Sequence, residues 1–204
     1  KESLDLEPDL KEWQYRVNVV GIDCARFGDD TTVFTAVDGY HLGCITRDIQ
    51  WHNGKDTMKT VGKAINVFNQ AGYDHGRDMF VVDDTGVGGA VTDRLLELGY
   101  NVIPINFGES SSEEGFVNKK AEIFWTLRKQ FQNRSIKLID KGKVVNELNI
   151  VRYDFNSKSD IFIVPKKKMK AEGLGSPDFA DSMALAVYGA MTYGEGYMST
   201  STGQ

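Results

Sequence analysis

Between Gln14 and Trp51 short apolar runs alternate with turn residues, and the period is that of strands. Val17, Val19 and Ile22 sit among small residues in a mostly apolar run, the pattern of a strand buried on both faces. Arg26 to Asp30 is turn chemistry, Thr31 to Asp38 is β-branched and aromatic, and Tyr40 to Trp51 continues the strand pattern. Asp38-Gly39 predicts a tight turn between the second and third strands. The strands Gln14 to Cys24, Thr31 to Asp38 and Tyr40 to Trp51 then form an antiparallel meander. After that the period lengthens: Met58, Val61, Ile65 and Phe68 recur at helical spacing within Gly54 to Ala71. A short strand at Met79 to Val82, a helix over Gly89 to Gly99 and a strand at Asn101 to Phe107 follow. Gly108 to Gly115 is a Ser/Glu-rich loop. Asn118 to Phe131 is helical, with Ile123, Phe124, Leu127 and Phe131 on its apolar side, and Val144 to Ile150 predicts a short helix. Arg152 to Phe155 and Ile161 to Val164 flank Asn156-Ser157-Lys158-Ser159, a second hairpin. An apolar helix from about Asp178 to Thr192 ends the pattern.

Strands four and five, each next to a helix, lie parallel to the first strand if their crossovers are right-handed. The predicted class is therefore α/β: a mixed sheet of three antiparallel strands and then parallel strands, flanked by helices, with an extra β-hairpin. This is the element order of the ribonuclease H-like fold. One domain over 14–192 is expected. Lys1 to Trp13 is acidic and polar, interrupted by Pro8, and reads as a linker; 193–204 is Gly/Ser/Thr-rich and reads as a flexible tail. A start at Lys1 rather than methionine points to a piece of a longer chain.

Composition narrows the class without naming a function. The 204 residues suit one domain with a sizeable core, and 41% hydrophobic with 26% charged residues is ordinary for a globular protein. No apolar run approaches the roughly 18 residues of a membrane span, and no signal peptide opens the chain. Cys24 and Cys44 match neither a disulfide framework nor a zinc spacing, which fits a reducing compartment. A net charge of −5 argues against a protein that coats nucleic acid, yet basic residues are clustered. Lys166, Lys167, Lys168 and Lys170 lie together, and Lys119, Lys120, Arg128, Lys129 and Arg134 follow one helical segment. The ordinary reading of any one such cluster is a solvated face.

Candidate chemistry lies in the isolated acids. Asp23 ends the first strand, where an ionised group costs several kcal/mol unless a hydrogen bond or a cation compensates it. Asp83 and Asp84 end the fourth strand in MFVVDDTGVGGAV, and Asp178 and Asp181 open the last helix in GSPDFADSMALA. If strands one and four are neighbours, Asp23 and Asp83 sit side by side at one sheet edge. Asp178 and Asp181, three apart, share one helix face, which packing of Met183, Leu185, Ala186 and Val187 would lay against those strand ends. Carboxylates so gathered repel one another unless cations neutralise them. Oxygen-only ligation suits two Mg²⁺ or Mn²⁺ ions in the clamp used for phosphodiester hydrolysis. Each acid also has an ordinary structural role open to it. Asp84 fits a turn with Thr85 and Gly86, Asp178 and Asp181 fit a helix N-terminus, and Asp29 and Asp30 fit a hairpin turn.

The glycines of Gly86-Val87-Gly88-Gly89 stop short of a dinucleotide fingerprint, because Val91 stands where a third glycine is needed. No GxxxxGK[ST] occurs, so a P-loop centre is absent. A glycine turn that brings a helix N-terminus close to the sheet edge is an adequate reading. His41, His52 and His75 show no paired ligand spacing.

Taken in order, GIDCARFGDDTT, VVDDTGVGG, VNKKAEIFW and SPDFADSMALA resemble the C-terminal nuclease domain of the large terminase subunit of tailed bacteriophages, over about Gln14 to Met191. The resemblance implies a ribonuclease H-like endonuclease that cuts concatemeric viral DNA during genome packaging with two divalent metal ions, Mg²⁺ or Mn²⁺. Asp23 would bridge the metals, Asp83 would be the second-strand ligand, and the last helix would supply the third, from Asp178 with Asp181 as helper. A common form of the family has a histidine before the paired acids; here Ser176 and Pro177 stand there, so the choice between Asp178 and Asp181 stays open. The Arg152 to Lys166 hairpin resembles an insertion beside the active site. Arg26, Lys119, Lys120, Lys166, Lys167 and Lys168 are candidate DNA contacts. Expected partners are double-stranded DNA, an N-terminal packaging ATPase domain preceding residues 1–13, the portal and the small terminase subunit, in the host cytoplasm and with no membrane. Competing expectations are a resolvase- or transposase-type nuclease on the same fold, an actin-like ATP-binding domain, and a catalytically idle docking domain.

Overall fold

The computed structural model describes residues 6–7, 9, 13–25, 31–54, 56–139 and 142–193. Strand β1 (Tyr15–Asp23) pairs antiparallel with β2 (Thr31–Tyr40), which pairs antiparallel with β3 (Gly43–Asn53). β4 (Met79–Asp83) lies parallel to β1, and β5 (Asn101–Ile105) parallel to β4. A two-residue β6 (Ile136–Lys137) pairs with β3, giving a six-stranded sheet in the order β5-β4-β1-β2-β3-β6. Strand alternation assigns the two faces. Val17, Val19, Met79 and Val81 enter the core beneath α3 (Lys119–Gln132), α4 (Gly142–Ile150) and α6 (Asp178–Thr192). Val20, Ile22, Phe80 and Val82 enter the other core, beneath α1 (Thr57–Gln70) and α2 (Val87–Glu97). Sidechain caps start the helices where the sequence carries Asp or Asn: Asp56 accepts from the Lys59 N–H, and Asn118 from the Ala121 N–H. The hairpin β7 (Tyr153–Phe155) and β8 (Ile161–Ile163) forms a separate sheet, followed by the short helix α5 (Lys166–Ala171).

The architecture is the expected mixed α/β sandwich, with three local corrections. Asp38-Gly39 is not the second turn. β2 runs through it and the chain turns at His41-Leu42. Asp38 is held in the strand by the Arg47 guanidinium and the Tyr73 hydroxyl. Gly39 is a close-packing glycine, since a Cβ there would lie 2.4 Å from the Val17 carbonyl oxygen and 2.9 Å from Ala190 Cβ. Residues 166–171, read from the sequence only as a basic cluster, form a short helix anchored by the buried Met169. β6 was not anticipated, because two residues carry no period. The expectations for 1–13 and 193–204 fall mostly outside the described residues. Asp29, Asp30 and Arg26 lie wholly outside them.

Helix α6 is buried from Asp178 through Ala190 and lies against β1 and β2. Small residues allow that approach. A Cβ on Gly21 would meet the Ser182 carbonyl oxygen at 2.4 Å and the Ala186 nitrogen at 2.5 Å, and one on Gly189 would meet Val81 Cγ2 at 2.6 Å. The Ser182 hydroxyl also donates to the Gly21 carbonyl and bonds the Thr35 hydroxyl at 2.8 Å. Gly21→Ala is therefore expected to destabilise the chain by about 2 kcal/mol or more. Gly62→Ala, on an exposed turn of α1 with nothing within 4 Å of the added Cβ, should stabilise it by roughly 0.5–1 kcal/mol. Urea unfolding of the two variants checks both signs, and a neutral Gly21→Ala would contradict the packing account.

Candidate active site

Asp23 falls on the face of β1 that carries Val17, Val19 and Gly21, and Asp83 on the matching face of β4, after Met79 and Val81. Ile22 pairs with Val82 in the parallel ladder, so both acids emerge at the same sheet edge towards α6. The first turn of α6 lies over that edge and brings Asp178 and Asp181 down to it. All four carboxylates line one cavity of about 450 Å³, together with Cys24, Thr85, Asn106 and Phe107. Their residues are nearly closed off from solvent, at 4%, 8%, 6% and 0% exposure for Asp23, Asp83, Asp178 and Asp181. A second cavity, of about 440 Å³, lies between α3, α4 and the hairpin; it is mostly apolar and has no carboxylate in its wall.

Two lysines answer the acids. The Lys166 ammonium lies 3.2 Å from Asp23 Oδ2, 3.0 Å from Asp178 Oδ1 and 2.8 Å from Asp181 Oδ2. Lys120, from the first turn of α3, reaches Asp181 Oδ1 at 2.8 Å. Burial pushes the Asp23 pKa well up; Lys166 opposes this, and the charges of Asp181, Asp178 and Asp83 add to it. Burial also works against an ionised Asp181, but Lys120 and Lys166 outweigh it and hold that carboxyl below its usual range. Burial disfavours a charged Lys166, yet Asp181, Asp23 and Asp178 together raise its pKa and keep it protonated. The remaining contacts fix rotamers. Asp83 accepts from the Thr85 N–H at 3.2 Å and from its hydroxyl, and Asp178 accepts from the Ser176 hydroxyl.

The loop at one side of the cavity is tied down by Glu122 in the NKKAE segment. Its carboxylate accepts from the hydroxyls of Ser111 and Ser112, the Ser112 N–H, the Tyr188 hydroxyl and Lys119, whose Nζ is 2.8 Å away. Gly86 has φ +68°. A Cβ on Gly88 would meet the Asp83 carbonyl oxygen at 1.7 Å. The glycine turn thus seats α2 against the end of β4, and Asp84 is only half-buried beside it.

The structure gathers Asp23, Asp83, Asp178 and Asp181 and turns three of the expected surface lysines inward. Lys166 and Lys120 meet the acids, and Lys119 is engaged by Glu122. Lys167 and Lys168 stay exposed on α5, and Arg26 lies outside the described residues. Sequence reasoning missed Thr85, Ser176 and Glu147 as supports. The first two sit within two residues of an acid, a signal that was available; Glu147 is on a different helix and gave none.

Among the described residues no three His, Cys, Asp or Glu side chains stand close enough together to hold a metal as they are placed. Lys166 separates them. The donor set still fits a hard divalent cation, because it is all oxygen, converges on one cavity from three elements, and already draws a cationic group into its centre.

The fold is shared with nuclease domains of phage large terminases. The crystal structure of the large terminase nuclease from thermophilic phage G20c aligns with a TM-score of 0.64 at 21% identity, covering 85% of this chain and 81% of that one. Its form with bound magnesium gives 0.64 at 23%, over 89% and 82%. A point variant of the nuclease domain of the large terminase subunit gp2 of bacterial virus Sf6, with manganese and beta-thujaplicinol, gives 0.73 at 19%, over 91% and 96%. At these identities the likeness is one of fold. No protein-family model and no curated protein matches the sequence. No helix among the described residues is long and apolar enough to cross a membrane.

Glu122 gives a pH test of how the site loop is held. Burial alone would raise its pKa, but Lys119, Ser111, Tyr188 and the Ser112 N–H lower it from 4.5 to about 2. A carboxyl depressed in the folded state contributes stability that is fully present above its unfolded value of 4.5 and is lost as pH falls towards 2. In denaturant unfolding from about pH 6 down to about pH 3, the stability gap between the parent chain and Glu122→Gln is expected to narrow steadily. A gap that stays constant would assign Glu122 a packing role alone.

Proposed function

We propose that this chain is the metal-dependent DNA endonuclease domain of a phage large terminase, cutting concatemeric viral DNA during genome packaging. The observation that carries the reading is the convergence of four buried carboxylates from β1, β4 and α6 on one cavity, in a fold shared with terminase nucleases solved with magnesium and manganese. Asp23 and Asp83, with Asp178 and Asp181 from α6, would hold two Mg²⁺ or Mn²⁺ ions. When bound, such a pair supplies Lewis acidity at the attacking water and at the leaving oxygen of a phosphodiester.

The chain's own residues do the rest. Thr85 and Ser176 fix the carboxylates of Asp83 and Asp178, so that both are oriented before a substrate arrives. Lys120 offsets the charge of Asp181, the most buried acid, and so keeps it ionised as an acceptor. Lys166 is charged and close to three of the acids, and balances them when no other cation is there. Lys167 and Lys168 extend from the same short helix into solvent, where a DNA phosphate would meet them. The same reading makes 14–192 the nuclease domain of a longer protein. Its partners would be an N-terminal packaging ATPase domain, the portal and the small terminase subunit, and its setting the host cytoplasm.

Plasmid cleavage without ATP tests the proposal. Cutting is expected with Mg²⁺ or Mn²⁺ and not with EDTA. Asp23→Asn should lower it by more than about 100-fold, beyond the effect of a merely supporting residue. The melting temperature of metal-free Asp23→Asn should be equal to or above that of the parent, because one member of a repelling group is neutralised. Cutting in EDTA, or full activity in Asp23→Asn, would overturn the reading.

A further inference from the structure

The two acids of α6 stand on a helix that has no local cap. Its N-cap position is Pro177, which contributes no side-chain hydrogen bond. The amides normally met by an N-cap side chain are those of the second and third helical residues, here Phe179 and Ala180. Both are satisfied from another helix. Oε2 of Glu147, from α4, accepts the Phe179 N–H at 2.7 Å and the Ala180 N–H at 3.1 Å. Those two residues lie between Asp178 and Asp181 in the chain, so one carboxylate oxygen clamps the peptide units that carry both acids.

We infer that Glu147 is a positioning residue that caps α6 from α4 and thereby fixes Asp178 and Asp181 for cation binding. A carboxylate is a costly choice for this place. Burial, joined by the charges of the nearby Asp178 and Asp181, raises the Glu147 pKa to about 7 despite its two backbone bonds. Serine at position 177 would cap the helix with no fifth acid near the site. What α4 adds is attachment: α4 packs on α6, so the cap ties the first turn of α6 to the same layer of the fold that buries Val144. The inference rests on reading the acids as a cation site, and concerns what holds two of them in place.

The test is calorimetric titration of the chain with Mn²⁺ alone, beside thermal unfolding of each variant. Glu147→Ala is expected to weaken Mn²⁺ binding by about 10-fold or more, in the range for a residue that orients ligands. Glu147→Gln keeps an acceptor oxygen and should stay within about threefold of the parent. Adding Pro177→Ser to Glu147→Ala restores a local cap and should recover most of the affinity. Glu147→Ala that melts lower but binds Mn²⁺ as the parent does would make Glu147 a structural brace and overturn the inference. If Glu147→Ala does not fold, the same comparison is read on Glu147→Asp, whose shorter arm withdraws the oxygen from both amides; unchanged affinity there overturns it equally. A parent chain that binds no Mn²⁺ would instead overturn the cation-site reading on which the inference stands.

Discussion

Four carboxylates closed off from water at one sheet edge repel each other, and the arrangement exists because positive charge is brought to them. Lys166 reaches Asp23, Asp178 and Asp181 from the short helix after the hairpin, and Lys120 reaches Asp181 from the start of α3. In this low-dielectric setting an unpaired acid costs more than any single apolar contact returns. The surrounding elements are therefore organised to deliver both signs to one place. The sheet sets the spacing of Asp23 and Asp83 through the β1–β4 ladder. Close packing of α6 over Gly21 and Gly39 sets the height of Asp178 and Asp181 above them. Glu122 and the serines of the 108–115 loop hold the wall from which Lys120 projects.

Much of this was legible in the sequence, and for local reasons. Asp23 and Asp83 were found by their places at the ends of strands one and four, which a parallel pairing of neighbouring strands brings side by side at one sheet edge. The start of α6 at Asp178 followed from the Ser176-Pro177 break before a long apolar run. What failed was local chemistry overridden by packing. Asp38-Gly39 carries the composition of a tight turn, but the glycine is there for Ala190 of α6 and the aspartate for Arg47 and Tyr73. Composition does not register a helix passing overhead.

Charge was the harder signal. KKKMK reads as a basic surface, and three of its lysines do face solvent, but Lys166 turns inward because it shares a helix face, three positions apart, with the buried Met169. Lys119 and Lys120, neighbours in the chain, answer different acids, Glu122 and Asp181. Glu147 could not be found from its surroundings in sequence. Its meaning depends on Phe179 and Ala180, more than thirty positions away, and on the missing cap at Pro177. Residues that hold a site from a second helix leave no spacing to read.

The central claim is that the acids form one cation site in which Lys166 now stands among them. Diffraction from crystals of this chain grown with Mn²⁺, recorded at the manganese edge, tests it directly. The account predicts an anomalous peak enclosed by Asp23, Asp83 and the acids of α6, with the Lys166 ammonium displaced from among them. Density with Lys166 still bridging Asp23, Asp178 and Asp181, and no anomalous peak within the cavity, would contradict it.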